Sequence, residues 1–301
     1  MEIRKIITLE PSSTEVVSFL DGDTSRIVGV SNKCDYPPEI ISKPKIVKSL
    51  INVSEEMSSL EIDKEVKKHL ASGKPIYEID WNAIKEIKPD LLVGQSICGV
   101  CAFPINSLLS HPHNRISLEE FLIYDYSPRN FYEIFLQIYE LSKIIGRKNK
   151  AEELLEYLYF FEKELKYLGK SRRIVMLEWI MPIYVAGLWI SQIIEICNAK
   201  TLIASGEEGR NVDWDMIRNF DPDIILISPC GFGIKRTLKE IDLLYSLPGW
   251  KDTRAFIKKN IYVVDSVYTS RATPRIVEFV KNFMEILNEN EPRREVMIRL
   301  E

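Results

Sequence analysis

Cys98 and Cys101 form the sharpest chemical spacing in the chain, two thiols separated by two residues. Thiols so placed make a redox pair, a disulfide or one half of a zinc site. Cys34 and Cys230 stand alone in sequence. A metal reading therefore takes the set Cys34, Cys98, Cys101 and Cys230, with zinc or iron as the ion. The competing reading of each is a small buried hydrophobe. Histidine offers less. His69 sits at a polar helix end, and His111 and His113 flank Pro112 in a loop, where solvated or structural roles are expected. The chain has no Gly-x-x-x-x-Gly-Lys phosphate loop, Gly-x-Gly-x-x-Gly fingerprint, His-Glu-x-x-His or Gly-x-Ser-x-Gly elbow. Its carboxylates form no recognisable acid–base pair. The residues read as a binder rather than a catalyst.

The elements that must position these residues alternate between strand and helix. Lys5–Leu9 is short, apolar and β-branched, the pattern of a buried strand. Ser12 or Ser13 then caps a helix carrying Val16, Val17, Phe19 and Leu20. Arg26–Val30 is a second strand, and strand–helix–strand is the unit of a parallel sheet. Helices follow at 54–70 and 81–87, and strands at 91–94 and 116–118. Ser127-Pro128 starts a helix with Phe131, Phe135, Ile138, Leu141 and Ile145 at helical spacing. Gly146 breaks it, and a second helix runs to about residue 168. The alternation then restarts. Strands are expected at 173–177, 224–227 and 260–264, and helices at 190–197, 214–220, 235–246 and 274–288. The halves echo each other: a short helix, a Pro-Asp step and a buried strand recur at 81–94 and 214–227.

The expected fold is α/β, with two Rossmann-like lobes of parallel sheet joined by one long helix. The divisions are 1–147 for the N-terminal lobe, 148–169 for the connecting helix, 170–290 for the C-terminal lobe and 291–301 for a charged, frayed tail. Ligands of open parallel sheets bind beyond the carboxyl ends of the strands. The post-strand loops therefore supply the candidates: Pro11, Ser12, Ser13, Cys34, Tyr36, Gln95, Cys98 and Cys101 in the first half, then Glu178, Trp179, Cys230, Phe232, Tyr268 and Arg271. Aromatics with a few polar groups suit a large, mostly apolar ligand with polar edges.

Composition narrows the class. The 301 residues are 46% hydrophobic and 28% charged with five cysteines, which excludes global disorder and a disulfide-dense mini-protein. A net charge of -4 argues against nucleic acid as a partner. The best apolar run, Ile224–Ile227, is far short of the ~20 apolar residues that span a bilayer. No apolar leader follows Met1–Lys5, so the chain as written reads as cytoplasmic, and as extracytoplasmic if a leader has been removed.

Taken together, several motifs resemble the class III solute-binding proteins of ABC importers, in particular the cobalamin-binding branch. They are the run Ile6-Ile7-Thr8-Leu9-Glu10-Pro11-Ser12-Ser13-Thr14-Glu15, Val28-Gly29-Val30-Ser31, Asp35-Tyr36-Pro37-Pro38, Lys88-Pro89-Asp90-Leu91, Ala186-Gly187 before Ile193-Ile194-Glu195-Ile196-Cys197, and Ser270-Arg271-Ala272-Thr273-Pro274-Arg275-Ile276. The resemblance covers residues 4–289. It implies two α/β lobes, a rigid connecting helix, and a corrinoid clamped between the lobes for delivery to a transporter permease, with no cofactor required. By position, Tyr36 matches an aromatic that lies against the corrin ring, and Tyr268 a tryptophan near the ligand. Gln95 stands where such binders can have tryptophan, and Trp179 supplies aromatic area nearby. The family also places an acid on each lobe to meet transporter arginines. Asp215 matches on the C-terminal lobe; the other position is Asn82, with Asp80 close by. A siderophore or haem is the next ligand class, and a cysteine-based metal or redox protein the alternative from a different class.

Overall fold

A computed structural model describes residues 2–54, 56–100, 102–108, 121–165 and 171–300. They group into two compact units. Met1–Asn52, Glu65–Pro128 and Glu133–Glu156 make the first, and Val53–Lys64, Arg129–Tyr132 and Tyr157–Glu301 the second.

In the first unit, β1 (Ile6–Thr8) leads into α1 (Pro11–Asp21), β2 (Ile27–Ser31) and β3 (Lys45–Ser49). Then come α2 (Ser59–Ala71), whose first residues belong to the second unit, β4 (Tyr77–Ile79), α3 (Trp81–Ile87), β5 (Leu91–Gly94) and β6 (Leu122–Asp125). Helices α4 (Phe131–Ile144) and α5 (Lys148–Leu165) follow; the first two residues of α4, and α5 from Tyr157 on, group with the second unit. The sheet order is β4-β3-β2-β1-β5-β6, parallel except where β4 runs antiparallel to β3. β1 and β5 are wholly buried, as their unbroken apolar runs require. The sequence reading did not include β3 and β4. They lie at one end of the sheet, β4 outermost and β3 next to it, and Lys45 and Lys48 interrupt the apolar pattern of β3. The strand expected at 116–118 falls outside the described residues; β6 lies just beyond it. Phe131, Phe135, Ile138, Leu141 and Ile145 are all buried, as the helical spacing requires.

The second unit contains β7 (Ile174–Trp179), β8 (Tyr184–Val185), α6 (Leu188–Ile196), β9 (Arg210–Asn211), α7 (Trp214–Phe220) and β10 (Ile224–Ile227). It continues with α8 (Ile234–Leu238), α9 (Ile241–Tyr245), α10 (Arg254–Ile257), β11 (Ile261–Val264), α11 (Ile276–Leu287) and β12 (Met297–Arg299). The sheet order is β12-β11-β10-β7-β8-β9, with β7, β10 and β11 parallel. Val175, Leu177, Ile225, Ile227 and Val263 pack with fully buried Trp250 in its core. The helix expected over 235–246 is two short helices, α8 and α9. The 291–301 segment, expected to be a charged and frayed tail, instead forms β12 antiparallel to β11. Its charges flank two buried apolar residues, Val296 and Met297, and burying these offsets the cost of ordering the segment.

The sequence echo between the halves has a shared physical cause. α3 and α7 each begin with tryptophan and end at a residue in the left-handed region, Lys88 (φ 50°) and Asp221 (φ 46°). Proline then prevents the helix from resuming. The following aspartate clamps the next strand. Asp90 donates its N–H to the Lys5 carbonyl (2.8 Å), while its carboxylate accepts from the N–H of Arg4 (2.7 Å) and Lys5 (2.8 Å). Asp223 likewise donates to the Arg173 carbonyl (2.7 Å) and accepts the Arg173 N–H (2.9 Å). Each clamp sets the register of a parallel pair, β5 on β1 and β10 on β7.

Burial works to raise the Asp223 carboxyl, but the Arg173 N–H and the Arg254 guanidinium outweigh it and hold the group below its ordinary value. The clamp's charge contribution is therefore fully present above the unfolded carboxyl's 3.8 and lost as pH falls through the lowered folded value. Asp223→Asn is expected to cost about 1 kcal/mol at pH 7. In urea melts, its deficit against the native chain should shrink as the pH is taken below the ordinary carboxylate range.

Candidate functional site

In the first unit, the loops after β1, β2 and β5 hold the expected residues, but the structure gives them different tasks. α1 begins at Pro11, and its cap is Glu10 rather than Ser12 or Ser13. The Glu10 backbone is extended, so its carboxylate turns back to accept the N–H of Ser12 and Ser13, each at 2.5 Å, together with the Ser13 hydroxyl. Proline at the first helical position has no N–H to satisfy, which moves the capping role one residue earlier. Ser13 is fully buried and its hydroxyl is committed to Glu10; Ser12 is half-buried. Burial pushes the Glu10 carboxyl upward, against the Ser13 hydroxyl and N–H and the Ser12 N–H, which favour the carboxylate. The sequence reading quoted Glu10 in a motif without assigning it a role.

Gln95 is 8% exposed and turns back on its own loop. Its amide oxygen accepts the N–H of Ile97 (2.6 Å) and Cys98 (2.8 Å), and its nitrogen donates to the Cys98 carbonyl (2.8 Å). A side chain so used organises the loop rather than presenting a flat face. Tyr36, by contrast, is 47% exposed at the end of the β2 loop. Cys34 lies under that loop, its Sγ 3.1 Å from Thr14 Oγ1, and burial pushes its thiol up to about 12. Cys34 is thus a packed core residue. Cys98 and Cys230 are half-exposed thiols, and Cys101 lies outside the described residues. Among the described residues, no group of three or more His, Cys, Asp or Glu is disposed to hold a metal.

The second unit gathers more of its candidates. Glu178 and Trp179 end β7, and the Glu178 carbonyl accepts the Cys230 N–H at 3.0 Å. Gly209 lies directly on the Glu178 carboxylate; a Cβ there would sit 2.0 Å from Oε1 and would push that carboxylate aside. The Trp179 and Phe232 rings are 5.2 Å apart at 52°, a tilted aromatic pair. The Arg236 guanidinium lies 4.3 Å above Phe232. Tyr268 has its own cation, Arg275, at 4.9 Å. The Ser228 and Thr269 hydroxyls, 2.6 Å apart, tie the end of β10 to the Tyr268 turn. Trp189 donates its indole N–H to the Thr269 carbonyl (2.8 Å). Arg271 is half-buried in the same turn. Sequence reasoning missed Arg236, Arg275 and Trp189; the available signal was a cation or indole within a few residues of an expected aromatic.

The two acids expected to meet a partner differ. Asp80 caps α3, accepting the Ala83 N–H at 2.9 Å. The Asp215 side chain is 70% exposed on the first turn of α7, 3.1 Å from Arg218. Asn82 holds the equivalent position on α3, one residue after the leading tryptophan.

A family model described as periplasmic binding protein matches residues 6–268. An uncharacterized ABC transporter substrate-binding lipoprotein, YvrC of Bacillus subtilis (strain 168), is 24% identical over 294 residues, covering 94% of this chain and 80% of the relative. Among solved structures, the periplasmic vitamin B12 binding protein BtuF of Vibrio cholerae aligns with a TM-score of 0.66 and 19% identity, over 96% of this chain and 99% of its own. IsdE of S. aureus complexed with heme aligns at 0.68 and 17%, over 95% and 99%. At these identities the structural likenesses establish a shared fold. No helix among the described residues is long and apolar enough to cross a membrane.

Burial separates the thiols chemically, because the thiolate is the reactive form. At pH 8, iodoacetamide should modify Cys98 and Cys230 while Cys34 stays unmodified until the chain unfolds. Peptide mapping of a labelling time course reads this directly, and early modification of Cys34 would contradict its placement in the core.

Proposed function

The chain belongs to the periplasmic binding protein family, and on that premise we propose that it is the substrate-binding protein of an ABC importer, carrying a flat, mostly apolar ligand of the corrinoid class. The observation that carries the ligand reading is the Trp179–Phe232 pair with Arg236 above it, at the carboxyl end of the second unit's parallel strands. Flat aromatic faces suit a macrocycle, and guanidinium groups suit its polar edge. Tyr36, exposed in the first unit, and Tyr268, half-buried in the second, are proposed as further ring contacts. Arg236 and Arg275 beside these rings equally suit a ligand bearing carboxylates, so haem is the second reading. Glu178, Arg271 and Ser12 are proposed as polar contacts. The buried Gln95 and Ser13 contribute by holding their loops in shape.

Asp215 is proposed as the acid that meets basic residues of the permease. Asp80 is occupied in capping α3 and plays the lesser part. The expectation of a cytoplasmic chain is replaced by an extracytoplasmic one, supported by the similarity to a substrate-binding lipoprotein. The ligand is then captured stoichiometrically, without turnover.

Calorimetric titration of the metal-analysed protein with cyanocobalamin, haemin and a ferric hydroxamate siderophore tests this. Saturable one-to-one binding of cyanocobalamin is expected. Tyr36→Ala and Trp179→Ala should each weaken it by about tenfold or more, since one stacked ring is worth roughly 1 kcal/mol beyond its buried area. Preference for haemin would move the assignment to the second reading. Absence of saturable binding by all three would overturn the macrocycle reading.

A further inference from the structure

Residues 53–64 lie in sequence between two stretches of the first unit, yet they group with the second. Apolar packing accounts for only part of this: Ile62 is buried, whereas Val53 is exposed and Met57 is half-buried. The attachment is polar and converges on two backbone positions. Glu240, 181 residues away in sequence, accepts the Ser59 N–H with both carboxylate oxygens (3.0 and 2.9 Å) and the Ser59 hydroxyl at 2.5 Å. Glu240 is 6% exposed, and Arg236, one turn earlier, neutralises it at 2.6 Å. Arg236 also donates to the Met57 carbonyl. The Ser59 carbonyl accepts the Trp179 indole N–H at 3.2 Å.

Two of these holding groups belong to the aromatic platform or touch it. Trp179 is half of the ring pair, and Arg236 covers the face of the other half. The α2 helix does not need the attachment for its own start. Ser58 and Glu61 form a reciprocal capping box, with Ser58 N–H to Glu61 Oε2 at 2.7 Å and Glu61 N–H to Ser58 Oγ at 3.3 Å. The helix cap and the attachment to Glu240 are therefore separate devices on adjacent residues. Polar attachments of this kind exchange for water when broken, whereas a packed apolar contact would leave a cavity.

We propose that residues 56–64 are a strap, latched over the Trp179 edge of the platform by the Arg236–Glu240 pair, and that release of this latch uncovers the platform for its ligand. The gating half rests on the reading of that platform as a ligand face. The latch itself stands on the hydrogen bonds above. In the latched state the Trp179 N–H is spent on Ser59, and Arg236 is divided among Met57, Glu240 and Phe232. In the released state both become available to a ligand's polar edge.

Hydroxyl-radical footprinting of the full, ligand-free chain tests the latch. Glu240→Gln should raise oxidation of Trp179 several-fold, while buried Trp250 serves as an internal reference and stays unchanged. Ser59→Ala keeps the Arg236–Glu240 pair and should give a smaller rise in the same direction, so a folding defect in the first variant does not decide the outcome. Equal Trp179 oxidation in the native chain and in both folded variants would overturn the strap. Stopped-flow mixing with cyanocobalamin and with haemin then reads the gate: the variants should associate faster than the native chain, and unchanged rates would overturn gating. If neither compound binds any form, the macrocycle reading fails, and the footprinting result still decides whether the strap opens.

Discussion

A parallel sheet places the carboxyl ends of its strands on one face, and everything distinctive about this chain follows from how those ends are held level. The two Pro-Asp steps do much of that work. Asp90 and Asp223 each join two neighbouring strands through one backbone N–H and one carboxylate, and so fix the register at the start of β5 and β10. A one-residue slip would turn every side chain of a strand to the opposite layer. It would also move the loop after that strand by roughly 3.3 Å. The aromatics, thiols and carboxylates beyond the strands are positioned only because the register beneath them is set.

The same loops must satisfy two demands. Their backbone polar groups need partners, and some side chains must remain available to a ligand. The structure divides these tasks by residue. Glu10 and Gln95 turn inward and take up the N–H groups of their own loops, and Cys34 packs beneath. Tyr36 stays exposed. In the second unit Gly209 permits a neighbouring loop to lie on Glu178, while Trp179 and Phe232 pair as rings. A polar residue in a post-strand loop is therefore a weak indicator of ligand contact, because backbone satisfaction competes for it.

That competition explains how far the site was legible in the sequence. The central strands β1, β5, β10 and β11 were readable because each is a short, wholly buried apolar run, and β7 because its first four residues are. Strands β3, β4 and β12 were not, since lysines, arginine and glutamate interrupt their patterns. α3 and α7 were readable from the repeated tryptophan and Pro-Asp steps. Loop membership placed Tyr36, Phe232 and Tyr268 on post-strand segments, whereas Glu178 and Trp179, expected in the loop after residue 177, are the last residues of β7 itself. It did not reveal that Gln95 turns inward, because a glutamine's direction depends on which N–H groups surround it in the folded loop. Nor did it reveal the Glu240–Ser59 attachment, whose partners lie 181 residues apart. No periodicity or local motif encodes a pairing at that distance.

The attachment also explains why a carboxylate is buried at residue 240. An ion pair removed from water is costly unless further hydrogen bonds occupy its oxygens. Arg236 alone leaves lone pairs on Glu240 unmet, and the Ser59 N–H and hydroxyl meet them. The strap and the pair thus depend on each other: each is favourable in place because the other is present. A group of polar contacts with this reciprocity changes together, since losing one member raises the cost of keeping the rest. An apolar strap of the same length would lie on the rings more firmly, but it would have no such shared point of release. The polar latch places that point next to Trp179 and Phe232, where a ligand with a polar edge offers Arg236 and the indole N–H alternative partners.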